Sequence, residues 1–271
     1  MTNPAFRFEQ VIGRRRFLAC VVAANVSPAL FADSVSQRWP DELSVGPFRY
    51  HANYSLQSDT KLLQQIAGLH RRLPQELEIP ERDREIHVYL FSQRATYENY
   101  LARYFTDVPQ RRALFIKQGG PGMVFAYRSR EFATDVRHET THAVLHNALP
   151  FVPLWIDEGL AEHYEVPAAN RLKQNPHMRK VLRDAGRHKL PSLKKLENIT
   201  QLSAMGADEY RDAFAWMHFC LHGPKEARAV LRNHLHEIAE HRPPGSFAER
   251  MMANVPDVEY RYFSHYRAMA A

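Results

Sequence analysis

Ten residues, 137–146, read RHETTHAVLH and hold three histidines and a glutamate, with no glycine or proline among them. This composition predicts a helix. On a helix His138 and His142 lie one turn apart on one face, and His146 lies a further turn on. Downstream, LPFVPLWIDEGLAEHYE places Pro150 and Pro153 where they must stop the helix and force a turn. A second helix, DEGLAEHYE, can then run back antiparallel to the first. Whatever surrounds these two elements must bury a histidine face against an acidic one.

His138-Glu139-Thr140-Thr141-His142 fits the pattern His-Glu-x-x-His. Two neutral imidazoles at that spacing can reach one ion, and zinc accepts nitrogen and carboxylate oxygen in a tetrahedron. Glu139 beside the pair is placed to hold and deprotonate a water at the metal. The return helix delivers Glu158 as the expected third ligand. Glu162, one turn on, is expected to hydrogen-bond the far nitrogen of a liganding histidine, and it is also the alternative third ligand. His146 lies too far along to share the ion and is expected to be structural or cleft-lining; His163 is expected at the surface. A third histidine six residues past His142 is excluded, because position 148 is Ala148 and position 145 is Leu145.

The order His-Glu-x-x-His followed by PLWIDEGLAE resembles the gluzincin group of zinc metallopeptidases, and within it small secreted bacterial members. The match is specific over residues 131–165 and loose elsewhere. Fifteen residues separate His142 from Glu158, fewer than in the best-known gluzincins. The resemblance implies one Zn2+ per chain held by His138, His142 and Glu158, with Glu139 as general base. It also implies an oxyanion donor from the downstream helical region. DEYRDAFAWMHFCLHG (208–223) offers Tyr210 for that part, although Tyr210, Phe214, Met217 and Leu221 share one face as core residues would. An edge strand ahead of the metal helix is expected to pair with substrate, and GMVFAYR (122–128) is the candidate.

Around the motif the chain divides. Periodicity predicts strands at 48–56 and 84–91, helices at 58–73 and 94–105, and a hairpin of ALFIKQ and GMVFAYR about Gly119-Gly120-Pro121-Gly122. After Pro150 it predicts helices, at about 157–165, 176–186, 206–222, 224–241 and 256–268. This is an α+β order, and the resemblance makes it zincin-like. A mixed N-terminal lobe (about 40–149) and an all-helical C-terminal lobe (about 150–271) would have the metal site between them, in a single catalytic domain, 33–271. At 45% hydrophobic and 24% charged, the chain can bury a core of that size.

Residues 1–32 form a separate unit. GRRRFLACVVAANVSPALFADS has the charge, apolar and small-residue order of an export signal, and Arg14-Arg15-Arg16-Phe17-Leu18 is similar to the twin-arginine signature. Cleavage is expected after Ala32, giving an exported, periplasmic or secreted protein. Losing four arginines and Glu9 lowers the formal charge from +6 to +3. A lipid anchor on Cys20 is disfavoured, since almost no apolar run precedes it. The remaining Cys220 lies in an apolar stretch and is expected to be a buried small residue, without a disulfide.

No nucleic-acid motif, phosphate loop or Gly-x-Ser-x-Gly is present. The basic run 171–195 reads as a solvated helix and linker. No membrane span is expected beyond the signal, and the chain is expected to act as a monomer on a peptide or protein. The sequence therefore implies a zinc-dependent peptidase. A non-catalytic zincin-fold binding protein, and a zinc amidase acting on a cell-wall linkage, are the two alternatives.

Overall fold

The computed structural model describes residues 39–105 and 108–270; the expected signal segment lies outside them. The fold begins with an antiparallel pair, β1 (Asp41–Val45) and β2 (Phe48–Ala52), followed by helix α1 (Thr60–Leu77). Strand β3 (Ile86–Phe91) lies parallel to β2. Helix α2 (Arg94–Tyr104) then leads to the hairpin β4 (Ala113–Ile116) and β5 (Gly122–Tyr127). Gly119 makes the hairpin turn with φ +64°, a backbone region that suits glycine. The sheet order is β1-β2-β3-β5-β4, with β5 parallel to β3 and antiparallel to β4.

Alternation along the strands separates two layers. Phe48, Tyr50, Val88, Leu90, Phe115, Val124 and Ala126 face the main core, which continues into the helices after residue 130. Tyr89, Phe91, Leu114, Ile116 and Phe125 point to the opposite face, where Tyr97 and Leu101 of α2 cover them. Both faces are therefore buried. The strand within 122–128 is not the edge expected of it: β5 is interior, and β4 takes the edge because the hairpin folds outward from β3.

The rest is helical: α3 (Phe132–Ala148), α4 (Leu154–Tyr164), α5 (Met178–Gly186), α6 (Leu193–Glu197), α7 (Ala207–His222), α8 (Lys225–Ala239), α9 (Phe247–Asn254) and α10 (Val258–Ala270). The chain is thus α+β, in the order expected. Strand β1 and helices α6 and α9 are additional; DELSV, LKKLE and FAERMMAN are too short to show a period of their own. No helix among the described residues is long and apolar enough to cross a membrane.

Helix α4 is held between α3 and α7. Gly159 sets its distance from α7, since a Cβ there would stand 2.7 Å from the Ala213 carbonyl oxygen and 2.7 Å from Met217 Cγ. Helix α7 is buried along Tyr210, Phe214, Met217 and Leu221, the face read from the sequence, and Cys220 is buried with them.

A candidate metal centre between two helices

Helix α3 is buried on all sides from Val136 to Leu145, polar residues included. Its two central threonines are satisfied within the helix, Thr140 Oγ1 donating to the Val136 carbonyl at 2.6 Å and Thr141 Oγ1 to that of Arg137 at 2.8 Å. His138 and His142, like Arg137, find their partners outside the helix. The turn 149–153 ends at Pro153, the residue before α4, and α4 brings Asp157 and Glu158 back across α3.

Glu158 Oε2 lies 3.5 Å from His138 Nε2 and 3.8 Å from His142 Nε2, and all three side chains are fully buried. Two donor atoms bound at ~2.0–2.2 Å to one tetrahedral ion sit roughly 3.3–3.6 Å apart. These two separations are close to the edge length of a coordination tetrahedron, and all three donor atoms lie within 4.8 Å of one another. His138, His142 and Glu158 form a group that could hold a metal ion.

What stands behind the imidazoles supports the same geometry. His138 Nδ1 is 3.0 Å from Glu165 Oε2, and His142 Nδ1 is 2.8 Å from Asp157 Oδ1. A carboxylate at Nδ1 keeps the proton there and leaves the Nε2 lone pair for a cation. Asp157 uses its second oxygen on His146 Nε2, at 2.9 Å. His146 thus acts as a structural residue, tied to the centre through Asp157. Arg137 Nε donates to the Glu165 carbonyl, which fastens the C-terminal end of α4 to α3.

Glu162 departs from expectation. The carboxylate behind His138 belongs to Glu165, whereas Glu162 Oε2 is 2.9 Å from His177 Nε2. Three residues further along α4, Glu165 sits beyond the last turn and reaches round to Nδ1. His138, Glu162 and Glu165 still bring one donor atom each within 4.8 Å, but with a single imidazole among them. A third such group, His70, Glu81 and Asp83, has two exposed carboxylates. His163 is also corrected: it is buried, packed against Phe214 and the rings of His218 and His222.

Burial raises Glu139 to about 7, against the lowering effect of both histidines, and its Oε2 has no hydrogen-bond partner. Burial would also raise Asp157, yet the charges of His142 and His146 hold it below the ordinary carboxylate range. Glu165 is pushed up to about 7 by burial and by the charge of Glu162. Tyr210 is buried on α7, and desolvation, followed by the charge of Glu158, raises its phenol far above the usual value. It stays protonated and can donate.

Sequence reasoning missed Asp157, Glu165, Tyr97 and Arg111. The first two flank the acidic helix start and end, where a pattern of carboxylates gives no direction of aim. Tyr97 and Arg111 lie in α2 and the segment before β4. Both are within electrostatic reach of Glu139, and Arg111 is within reach of Tyr210. No family model matches the chain, and no curated protein matches it.

Proposed function

We propose that this chain is a zinc-dependent hydrolase of the gluzincin type, with a zincin-like fold, that cleaves peptide bonds. The observation that carries this reading is the buried trio of His138, His142 and Glu158, each imidazole backed by its own carboxylate, with an unbonded glutamate oxygen beside it. Two nitrogen donors and one carboxylate are the ligand chemistry of a catalytic zinc with one position open. Zinc held there would supply a Lewis acid and lower the pKa of water at that open position.

The chain's own groups do the rest. Glu139 is placed to accept a proton from the attacking water and return it to the leaving amine. Burial raises its carboxyl, and a cation held by the trio would lower it and favour the ionised form that accepts the proton. Tyr210, protonated and within electrostatic reach of Glu158 and Glu139, is the donor for the developing oxyanion. Strand β4 at the sheet edge, preceding α3, takes the place of β5 as the element for substrate backbone to pair with. A non-peptide amide, such as a cell-wall linkage, could be cut by the same atoms. The export signal of residues 1–32 belongs to this reading, which puts the working protein outside the cytoplasm.

The test is metal content together with peptide turnover. Purified wild type should carry one zinc per chain. Glu158→Ala should lose it, and Glu139→Gln should keep it while hydrolysis falls by roughly 10²–10⁴-fold. A folded wild type that takes up no zinc even when supplied, or a Glu139→Gln variant with full turnover, would overturn the proposal.

A further inference from the structure

Three buried polar atoms within electrostatic reach of one another have no hydrogen-bond partner among the described residues: Arg111 Nη1, Tyr97 Oη and Glu139 Oε2. They come from three elements that the fold fastens together. Arg112, the neighbour of Arg111, bonds Asp135 in the first turn of α3, Nη2 to Oδ1 at 2.9 Å, one turn before Glu139. The Arg112 carbonyl accepts from the Tyr127 amide at 3.4 Å, which extends the β4–β5 hairpin up to this point. Tyr97 is positioned by its ring, packed 5.2 Å from Tyr127 and 5.7 Å from Phe91. The backbone next to Arg111 and the ring of Tyr97 are thus both tied to the β4–β5 hairpin, and Arg112 ties that hairpin to the helix that carries Glu139.

A buried polar atom without a partner is destabilising, and more so when it belongs to a cation. Such atoms persist where a ligand completes them. Arg111 is half-buried and has neither an ion pair nor a hydrogen bond among the described residues. The carboxylates around the centre, Glu139, Asp157, Glu158, Glu162 and Glu165, outnumber its histidines His138, His142 and His146 and would repel an anion. Arg111 offsets that repulsion at one place. A guanidinium fork joined by a phenolic donor suits a planar acceptor with two oxygens, and it suits a charged one better than a neutral carbonyl.

We infer that Arg111 and Tyr97 form a carboxylate-binding subsite beside Glu139, so that the substrate ends in a free carboxylate close to the bond that is cut. The inference rests on the peptidase reading for the reaction, but the subsite itself can be tested without turnover. Its consequence is specificity: cleavage near a free C-terminus, with Arg111 and Tyr97 as specificity-determining residues.

The experiment compares N-acetylated peptides of one sequence ending either in a free acid or in an amide. Wild type should favour the acid by about tenfold or more in kcat/KM, the range of a hydrogen bond to a charged group. In Arg111→Gln the ratio should collapse towards one, with the loss in KM. Tyr97→Phe, which keeps the ring packing, should reduce it part way. Zinc content and melting temperature of each variant exclude misfolding as the cause. Equal cleavage of acid and amide by wild type would overturn the subsite and leave the zinc reaction standing. If no peptide is cut, calorimetric binding of both peptides to zinc-loaded Glu139→Gln decides the matter. Preference for the acid that Arg111→Gln abolishes supports the subsite; equal or absent binding overturns it.

Discussion

Each imidazole of the candidate centre has a carboxylate at its Nδ1, which turns Nε2 towards Glu158, so the aim of a proposed ligand is decided by a residue outside the trio. Asp157 does this for His142 and at the same time holds His146, with one oxygen for each. Glu165 does it for His138. Removing either carboxylate frees the ring to rotate and to change tautomer. Asp157→Asn and Glu165→Gln should each weaken zinc affinity by about 10–100-fold, measured by competition with a chelator, while the fold persists. Unchanged affinity in both would show that the rings are held by packing alone. His138, Glu139 and His142 were legible from their spacing, because a helix turns any i, i+4 pair into neighbours. Asp157 and Glu165 were not, because which of the acids on and just after one short helix faces which imidazole depends on how two helices cross.

Among the elements, α4 is buried continuously from Trp155 to Tyr164. It carries Asp157, Glu158 and Glu162, it is followed at once by Glu165, and it lies against both α3 and α7. Gly159 permits that approach, so the residue after Glu158 sets the depth at which that carboxylate meets the two histidines. Gly159→Ala should lower stability by about 1–3 kcal/mol, the usual cost of overpacking, and Tm by roughly 3–10 °C, and it should weaken zinc binding as α4 shifts. A variant with unchanged melting and zinc affinity would mean that α7 yields freely. The helix itself was legible from the two prolines that bound its approach. The edge of the sheet was misread for a related reason. Alternation shows that β5 is a strand, but not whether a neighbour pairs with its second side.

For the whole molecule, the histidines that do not face the centre set the pH range in which it is stable. His218 is lowered to about 3 and His265 to about 4, chiefly by burial and then by neighbouring imidazoles, and His163 is lowered well below its ordinary value for the same reasons. The two former rings meet at 3.1 Å, Nδ1 to Nε2, and His218 Nε2 reaches the Leu172 carbonyl at 3.1 Å. The unfolded chain protonates these residues near ~6.5 while the folded chain does not. Over that interval the unfolded state binds more protons, so this stability is complete above ~6.5 and is lost as the pH falls towards about 4. Melting curves should show Tm falling over that window, and His265→Gln should flatten the fall. An equal slope in wild type and variant would assign the acid sensitivity to other groups.

The sequence by itself determined what local periodicity and backbone chemistry control: strands first and helices after, a hairpin at Gly119, and a helix that stops before Pro150. It also determined that His138 and His142 share a face with Glu139 between them. Tertiary structure decided the properties that depend on partners distant in the chain. It made β5 interior, buried His163, turned Glu162 to His177, and put Glu165 behind His138. It also brought Arg111 and Tyr97 within electrostatic reach of Glu139, from segments whose sequence carries no sign of it. Spacing along one helix is a fixed rotation per residue and can be read from a string. The meeting of separate elements depends on crossing angles and packing distances, and these are set by the whole core at once.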